Sequence, residues 1–82
     1  MSMPITFEWV LVTEGKQERV PDQPNSYKIT LDGYHLFPIE QTIEIKRHKE
    51  KGHIGFGEIL ELRWHKQQTT CIYRLTSLQS VN

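Results

Sequence analysis

The chain is poor in the features that mark several protein classes. Its 82 residues include one cysteine, Cys71, so no intramolecular disulfide can form, whereas small secreted domains are usually stapled by several. Ten lysines and arginines balance ten aspartates and glutamates, for a formal net charge of +0. Dedicated nucleic-acid-binding domains usually carry a clear positive excess. The composition therefore argues against that class and leaves only a local basic patch open.

Long apolar runs and helical patterns are also missing. No stretch approaches the roughly 18 consecutive apolar residues of a membrane span. The start, "MSMPITFEWV", lacks a basic region followed by an apolar run and a cleavage site. No window has a helical period, and no internal repeat or low-complexity tract is present. We therefore expect a cytoplasmic protein with no membrane partner.

Bulky side chains and strand patterns are present in sufficient number for one folded unit. The mean hydropathy is -0.55, yet two Trp, three Tyr and three Phe supply large apolar groups that disordered segments lack. A chain this short hides only about 60–65 % of its unfolded surface and cannot be divided into two cores. We predict a single β domain over residues 1–82.

Alternation with a period of 2 predicts most of the strands. Residues 5–13 alternate, and residues 14–26 are polar with two prolines, which indicates a connection. The runs "YKITL" and "YHLFPI" flank Asp32-Gly33, a pair typical of a type I′ hairpin turn. Residues 41–48 and 53–65 flank a predicted loop, Lys49–Gly52, and "TTCIYRLTSL" gives the last strand.

The last two predicted strands can be registered by their own apolar pattern. Pairing Trp64 with Thr69, Leu62 with Cys71, and Leu60 with Tyr73 brings apolar side chains together on one face. Six or so short strands limit their exposed edges by curling. The predicted fold class is all-β, with about six antiparallel strands in a small, partly closed β-barrel or a strongly bent sheet.

The stretch "KRHKEKGHIGFGEI", residues 46–59, is the candidate functional segment. Its three glycines suggest a phosphate loop, but such loops precede a helix, and here a strand pattern follows. Glycines inside a strand instead mark a bulge or a tight bend. We predict a bulge at Gly57 that turns Glu58 out of the core. The alternative is a buried Glu58 with a raised pKa, acting with a histidine in a hydrolase or another small-ligand enzyme.

The tip of this hairpin concentrates basic side chains. Lys46, Arg47, Lys49 and Lys51 form a local positive arm that could contact RNA, although lysines at a hairpin tip are also a common solubility device.

Histidines lie beside the same tip. A loop closed over Lys49–Gly52 would set His48 across from His53, near enough for both to ligate one metal ion. Solvent-exposed histidines beside a turn explain the same residues, and neither a third nor a fourth ligand has a diagnostic spacing. No cofactor is expected.

Three blocks of sequence resemble a known family. They are "MPITFEWVLV" at the beginning, "GYHLFPI" with "IEIKR" at the centre and "TTCIYRLTSLQSVN" at the end. Together they are similar to the YtmB-like family, small proteins of bacilli and their relatives. The resemblance implies a compact, mainly β cytoplasmic protein with no assigned activity, and no functional residue is carried over from it.

The sequence thus predicts a fold class more specifically than a function. We predict a non-catalytic binding or adaptor module, with RNA or another protein as partner. The enzyme built on Glu58 is one alternative. Another is homo-oligomerisation or partner binding through an unpaired edge of the first or last strand, in a monomer or weak homodimer.

Overall fold

The computed structural model describes residues 6–50 and 52–78, which form one six-stranded mixed sheet. The strands are β1 Val10–Val12, β2 Glu18–Arg19, β3 Ser26–Asp32, β4 Thr42–Lys46, β5 His53–His65 and β6 Gln68–Leu78. Their order in the sheet is β1-β4-β5-β6-β3-β2. The all-β prediction of about six strands is confirmed. Within these residues β1 and β2 end the sheet without pairing to each other, so the strongly bent sheet is the architecture that fits. In the same residues, no helix has the length and apolarity needed to cross a membrane.

One strand pair runs in the direction that the sequence did not predict. β1 is parallel to β4, with Leu11 opposite Ile45, whereas the other four pairings are antiparallel. Alternation assigns side chains to the two faces of a strand, but it carries no information on the partner strand or its direction. The expectation of antiparallel strands throughout is therefore wrong at β1.

The predicted hairpin at Asp32-Gly33 is also wrong. β3 pairs with β6 and β2, and residues 34–38 are not a strand. Gly33 does have a positive φ of 82°, but its N–H donates to the Gln67 carbonyl oxygen at 2.7 Å. The chain then leaves the sheet and buries Phe37, whose residue is 2 % exposed, on its way to β4.

The β5–β6 hairpin follows the predicted register near its turn. Trp64 pairs with Thr69 and Leu62 with Cys71, as predicted. Tyr73 pairs with Ile59 instead of Leu60, because the register shifts between Ile59 and Glu61. Leu60 is the extra residue of this bulge, and an extra residue reverses which parity faces the core.

This bulge explains which face of β5 the glycines and Glu58 lie on. Gly55, Gly57 and Ile59 are the buried positions of β5 before the bulge, while Phe56 is 41 % exposed. Glu58 therefore lies on the outer face, as predicted. A register shift against β6 does lie between Phe56 and Gly57, but its extra residue, Thr76, belongs to β6. The predicted bulge at Gly57 is therefore not what turns Glu58 out.

The core lies on the inner face of the bent sheet, and its apolar residues come from five strands and the β3–β4 connection. They are Leu11, Ile29, Phe37, Ile43, Ile45, Ile59, Cys71 and Tyr73. The glycines let β5 approach β6 closely, because a Cβ at Gly55 would overlap the Ser77 carbonyl oxygen and one at Gly57 would lie 2.7 Å from that of Arg74. Close approach of two backbones is another reason for glycine inside a strand, besides the predicted bulge or tight bend.

Candidate binding groove beside the first strand

A groove of about 440 Å³ lies between β1 and the segment that follows β3. Glu8, Val10, Val12 and Glu14 line it along β1, and Leu31, Asp32, His35 and Phe37 line the facing side. Lys16, His48 and Lys49 lie at one end. We call this depression the β1 groove. Pockets of about 300–1,000 Å³ are the usual size for ligand sites.

The backbone of β1 presents hydrogen-bonding groups to this groove. The Glu44 N–H donates to the Trp9 carbonyl at 3.0 Å, and the Thr13 N–H donates to the Lys46 carbonyl at 2.9 Å. Along a strand, the backbone N–H and C=O groups of successive residues point to opposite sides. The odd-numbered residues around β1 therefore bond to β4, and the backbone polar groups of Val10 and Val12 point away from β4. The Glu8 N–H, on the same side as those of the valines, reaches the Leu36 carbonyl at 2.8 Å across the groove.

The two terminal strands of the described sheet differ in their protection. β2 has only two residues, Glu18 and Arg19, both charged and exposed, and prolines 21 and 24 follow. β1 reads Val-Leu-Val, preceded by Phe7 and Trp9, which are 47 % and 53 % exposed. Short length, charge and proline are the devices that keep a sheet edge from pairing with another chain. β2 has all three devices, whereas β1, although only three residues long, has neither a charge nor a proline within its own residues.

One end of the groove is fixed by His35. Its Nδ1 lies 3.0 Å from the Glu8 carboxylate and its Nε2 lies 2.8 Å from the Asp32 carbonyl oxygen. Both oxygens can only accept, so both bonds form together only when the ring carries two protons. Burial lowers the pKa of His35, but the hydrogen bond and charge of Glu8 and the Asp32 carbonyl outweigh this and raise it above 6.5.

The backbone of His35 is held as firmly as its ring. Its N–H donates to the Thr69 hydroxyl oxygen at 2.8 Å, and that hydroxyl donates to the Gly33 carbonyl at 2.7 Å. The Trp64 indole N–H donates to the His35 carbonyl at 2.8 Å. This end of the groove is thereby tied to β5 and β6.

The predicted basic arm is partly engaged in local contacts. The Lys46 ammonium donates to the Lys49 carbonyl at 2.9 Å, and Lys49 lines the β1 groove. Arg47 is exposed and approaches Gly15, since an added Cβ there would be 3.6 Å from its guanidinium. Lys51 lies outside the described residues. RNA contact by these side chains stays a prediction.

The predicted pair of histidines across the hairpin is wrong. His53 is opposite Lys46, because the β4–β5 register shifts between Ile45 and Lys46. Its Nδ1 lies 2.6 Å from a Glu44 carboxylate oxygen, while His48 lines the β1 groove. In the described ranges, no group of three or more His, Cys, Asp and Glu residues could hold a metal ion. Metal binding by His48 and His53 stays a prediction, but the two histidines are not opposite each other on the paired strands.

Glu58 has a different partner from the one that the enzyme hypothesis requires. Its carboxylate lies 3.6 Å from the Arg74 guanidinium. In the part of the chain that the structure describes, the carboxylates that contact histidines are those of Glu8 and Glu44. The one thiol is no better placed for catalysis, because burial, with a smaller effect of the Glu8 charge, raises the pKa of Cys71 to about 12. A thiol with this pKa is protonated at neutral pH.

Sequence reasoning identified the edge of the first strand as one candidate surface and missed the residues that build the groove around it. Glu8, His35 and Thr69 are far apart in sequence and carry no motif. The last strand, the other predicted edge, is internal, since β6 lies between β5 and β3.

Comparisons with known proteins give full-length matches. The family described as "Domain of unknown function (DUF2584)" matches residues 1–82. The uncharacterized protein YtmB of Bacillus subtilis (strain 168) is 35 % identical over 82 residues, which cover 100 % of both chains. The X-ray crystal structure of YtmB from Bacillus subtilis matches with a TM-score of 0.83 and covers 100 % of this chain and 99 % of that one.

Proposed function

We propose that this chain, which belongs to the family described as Domain of unknown function (DUF2584), is a non-catalytic module that binds an extended polypeptide segment along β1. The resemblance to the YtmB-like family is confirmed by the full-length match to YtmB. The observation that carries the proposal is the contrast between the protected edge of β2 and the apolar edge of β1.

Strand addition explains how the groove would work. An incoming strand gains main-chain hydrogen bonds from Val10 and Val12, and every second side chain enters the groove against Leu31 and Phe37. Main-chain bonds supply affinity without regard to sequence, and the side chains that enter the groove supply specificity. The groove is open enough to take several side chains and is lined by both apolar and charged residues.

Binding is a better account of these residues than catalysis. The thiol of Cys71 is buried and protonated, and Glu58 faces Arg74 on the outer side of the sheet. A reducing compartment such as the cytoplasm is the proposed location, because Cys71 is a free thiol in a chain with one cysteine.

A proline placed on each edge tests the proposal. In Val12→Pro the lost N–H points away from β4, so the β1–β4 ladder keeps its bonds while the edge loses a donor. Arg19→Pro is the matched control, because the Val20 N–H bonds to Ser26 and the N–H of Arg19 therefore points away from β3.

The readout is selection of a displayed library of random peptides on the three proteins. We expect peptides enriched on the wild type to bind Arg19→Pro and to be lost from Val12→Pro, with NMR shifts along residues 8–14 and 31–37. Selected peptides that bind the wild type, Val12→Pro and Arg19→Pro equally well would refute strand addition at β1.

RNA binding at the hairpin tip is the second candidate. Lys46, Arg47 and Lys49 lie at one end of the sheet, where Lys16 also lines the groove. Labelled single-stranded RNA is titrated at low and at moderate salt. Affinity that falls with salt would support this candidate, since phosphate contacts release counterions, and no binding at micromolar protein would remove it.

A further inference from the structure

The two ends of the β1 groove carry opposite charge. Glu8 and Asp32 line one end, where both contact the His35 ring, Glu8 through its carboxylate and Asp32 through its backbone carbonyl. Two acidic residues therefore line that end, with a partial balance from His35 when it is protonated. Neither carboxylate pairs with a lysine or an arginine among the salt bridges of the described residues.

The other end is basic on balance. Lys16 and Lys49 line it together with Glu14 and His48. The Glu14 N–H donates to the Arg47 carbonyl at 2.8 Å, which holds the turn after β1 against the hairpin tip. This contact also brings the Arg47 guanidinium beside Gly15. Three cations and one carboxylate thus gather where β1 ends.

The middle of the groove is apolar. Val10 and Val12 lie on the β1 side, and Leu31 and Phe37 lie across from them. Consecutive residues on one face of a strand are about 6.6 Å apart, so seven residues of an added strand span about 20 Å and set four side chains on the groove side. The groove can therefore recognise a charge, two apolar side chains and an opposite charge in alternate positions.

We propose that the preferred ligand is an antiparallel polypeptide strand that carries an acidic residue, two alternate apolar residues and then a basic residue. The acidic side chain lies at the end with Lys16 and Lys49, and the basic side chain lies at the end with Glu8 and Asp32. This inference rests on the proposed function and adds the direction and charge of the ligand. Antiparallel addition is chosen because antiparallel ladders are the more stable kind.

A second copy of this chain matches the charges of this groove at one end only. Two β1 strands paired antiparallel about Leu11 set Val10 against Val12 of the second copy, and Glu8 then opposes Glu14 of that copy. Like charges directly opposite each other on a sheet are destabilising. The second copy would bring its Glu8 to the end with Lys16 and Lys49, but its Glu14 to the end with Glu8 and Asp32. A strand with a basic residue in place of Glu14 is therefore the better match.

Two capped peptides with the same composition test the direction. Both are acetylated and amidated, so that they carry no terminal charge: Glu-Thr-Val-Thr-Val-Thr-Lys and its charge-swapped form, Lys-Thr-Val-Thr-Val-Thr-Glu. We expect the first to bind the wild type more tightly, by about fivefold at low salt, with the difference shrinking as salt rises. In Lys49→Glu the preference for the first peptide should fall or reverse.

The outcomes separate this inference from the proposed function. Equal affinity of the two peptides, with binding lost in Val12→Pro, would overturn the charge preference and leave strand addition standing. Tighter binding of the swapped peptide would overturn the stated direction. Failure of both peptides to bind in a manner sensitive to β1 variants would overturn strand addition itself.

Two further measurements keep the test decisive. If Val12→Pro does not fold by circular dichroism, Val10→Lys replaces it, because a charge on the edge also opposes pairing. The mass of the wild type is measured over a concentration series. A dimer that Val10→Lys dissociates would identify a second copy as the occupant and overturn the proposal of a foreign strand.

Discussion

The Nδ1 atom of His35 lies 3.0 Å from the carboxylate of Glu8, and this contact ties the β3–β4 connection to the residues before β1. The pKa of His35 is raised in the folded protein. A raised pKa means that the folded state holds the proton more tightly, so the contribution to stability is full below about pH 6.5 and is lost as the pH rises through the folded value.

The pH dependence of the free energy of unfolding checks this prediction. We expect the difference between the wild type and His35→Gln to be largest in mild acid and to shrink toward mildly alkaline pH. The exposed His65, changed to Gln, is the control for the loss of a histidine side chain as such. A difference that grows with pH would contradict the assignment of a protonated His35.

Thr69→Val should destabilise the fold well beyond the loss of one surface hydrogen bond. The substitution keeps the shape of the side chain but removes the oxygen that links the His35 N–H and the Gly33 carbonyl. The Gly33 carbonyl belongs to an exposed residue, so the cost falls mainly on the N–H of the half-buried His35. We expect a loss of about 1–3 kcal/mol in the free energy of unfolding, measured by urea denaturation.

Thr70→Val is the matched control for this change. Among the described residues, the Thr70 hydroxyl meets only the hydroxyl of the exposed Thr30, at 3.3 Å. We expect an effect within about 0.5 kcal/mol, as for most surface substitutions. Equal effects at positions 69 and 70 would mean that the buried hydroxyl does not support the groove.

Gly55→Ala should destabilise the β5–β6 pair severely. The new methyl group would overlap the Ser77 carbonyl oxygen, and a backbone atom in a paired strand cannot move aside as a side chain end can. Overpacking typically costs about 1–3 kcal/mol and occasionally more, and we expect the upper end. Gly57→Ala, with 2.7 Å to the Arg74 carbonyl oxygen, should cost less. A wild-type melting temperature in Gly55→Ala would show that the strands do not approach this closely.

Glu58→Gln should have little effect on stability. The Glu58 carboxylate is 3.6 Å from Arg74, whose side chain is half exposed, and ion pairs of this kind contribute about 0–1 kcal/mol. Urea denaturation at neutral pH should place the variant within about 1 kcal/mol of the wild type. A much larger loss would contradict the placement of Glu58 on the solvent-facing side of the sheet.

The strands could be predicted from the sequence wherever a local pattern specifies them. Alternation located β4, β5 and β6, and the short hairpin between the last two fixed its register at Trp64 and Leu62. That turn is made by Lys66 and Gln67, both at positive φ. The Asp32-Gly33 pair has a stronger turn signature than Lys66-Gln67. At Gly33, however, the positive φ lies where the chain leaves the sheet and not in a hairpin turn.

The groove could not be predicted, because its contacts join residues that no local pattern connects. Thr13 and Lys46 are 33 residues apart, and His35 and Thr69 are 34 apart. The bulge at Leu60 was equally hidden, since an extra residue leaves the apolar composition of a strand unchanged while it reverses the inward positions.

The parallel pairing of β1 with β4 has a consequence for how the molecule folds. β5 and β6 are adjacent in the chain, and hairpins close in about 1–10 μs, but β1 can pair only after the chain has brought β4 back to it across a long loop. Such non-local contacts come late in folding because loop closure costs entropy before they form. We therefore expect β1 to be the last strand to join and the first to detach. A peptide bound beside it would recognise only molecules whose folding is complete.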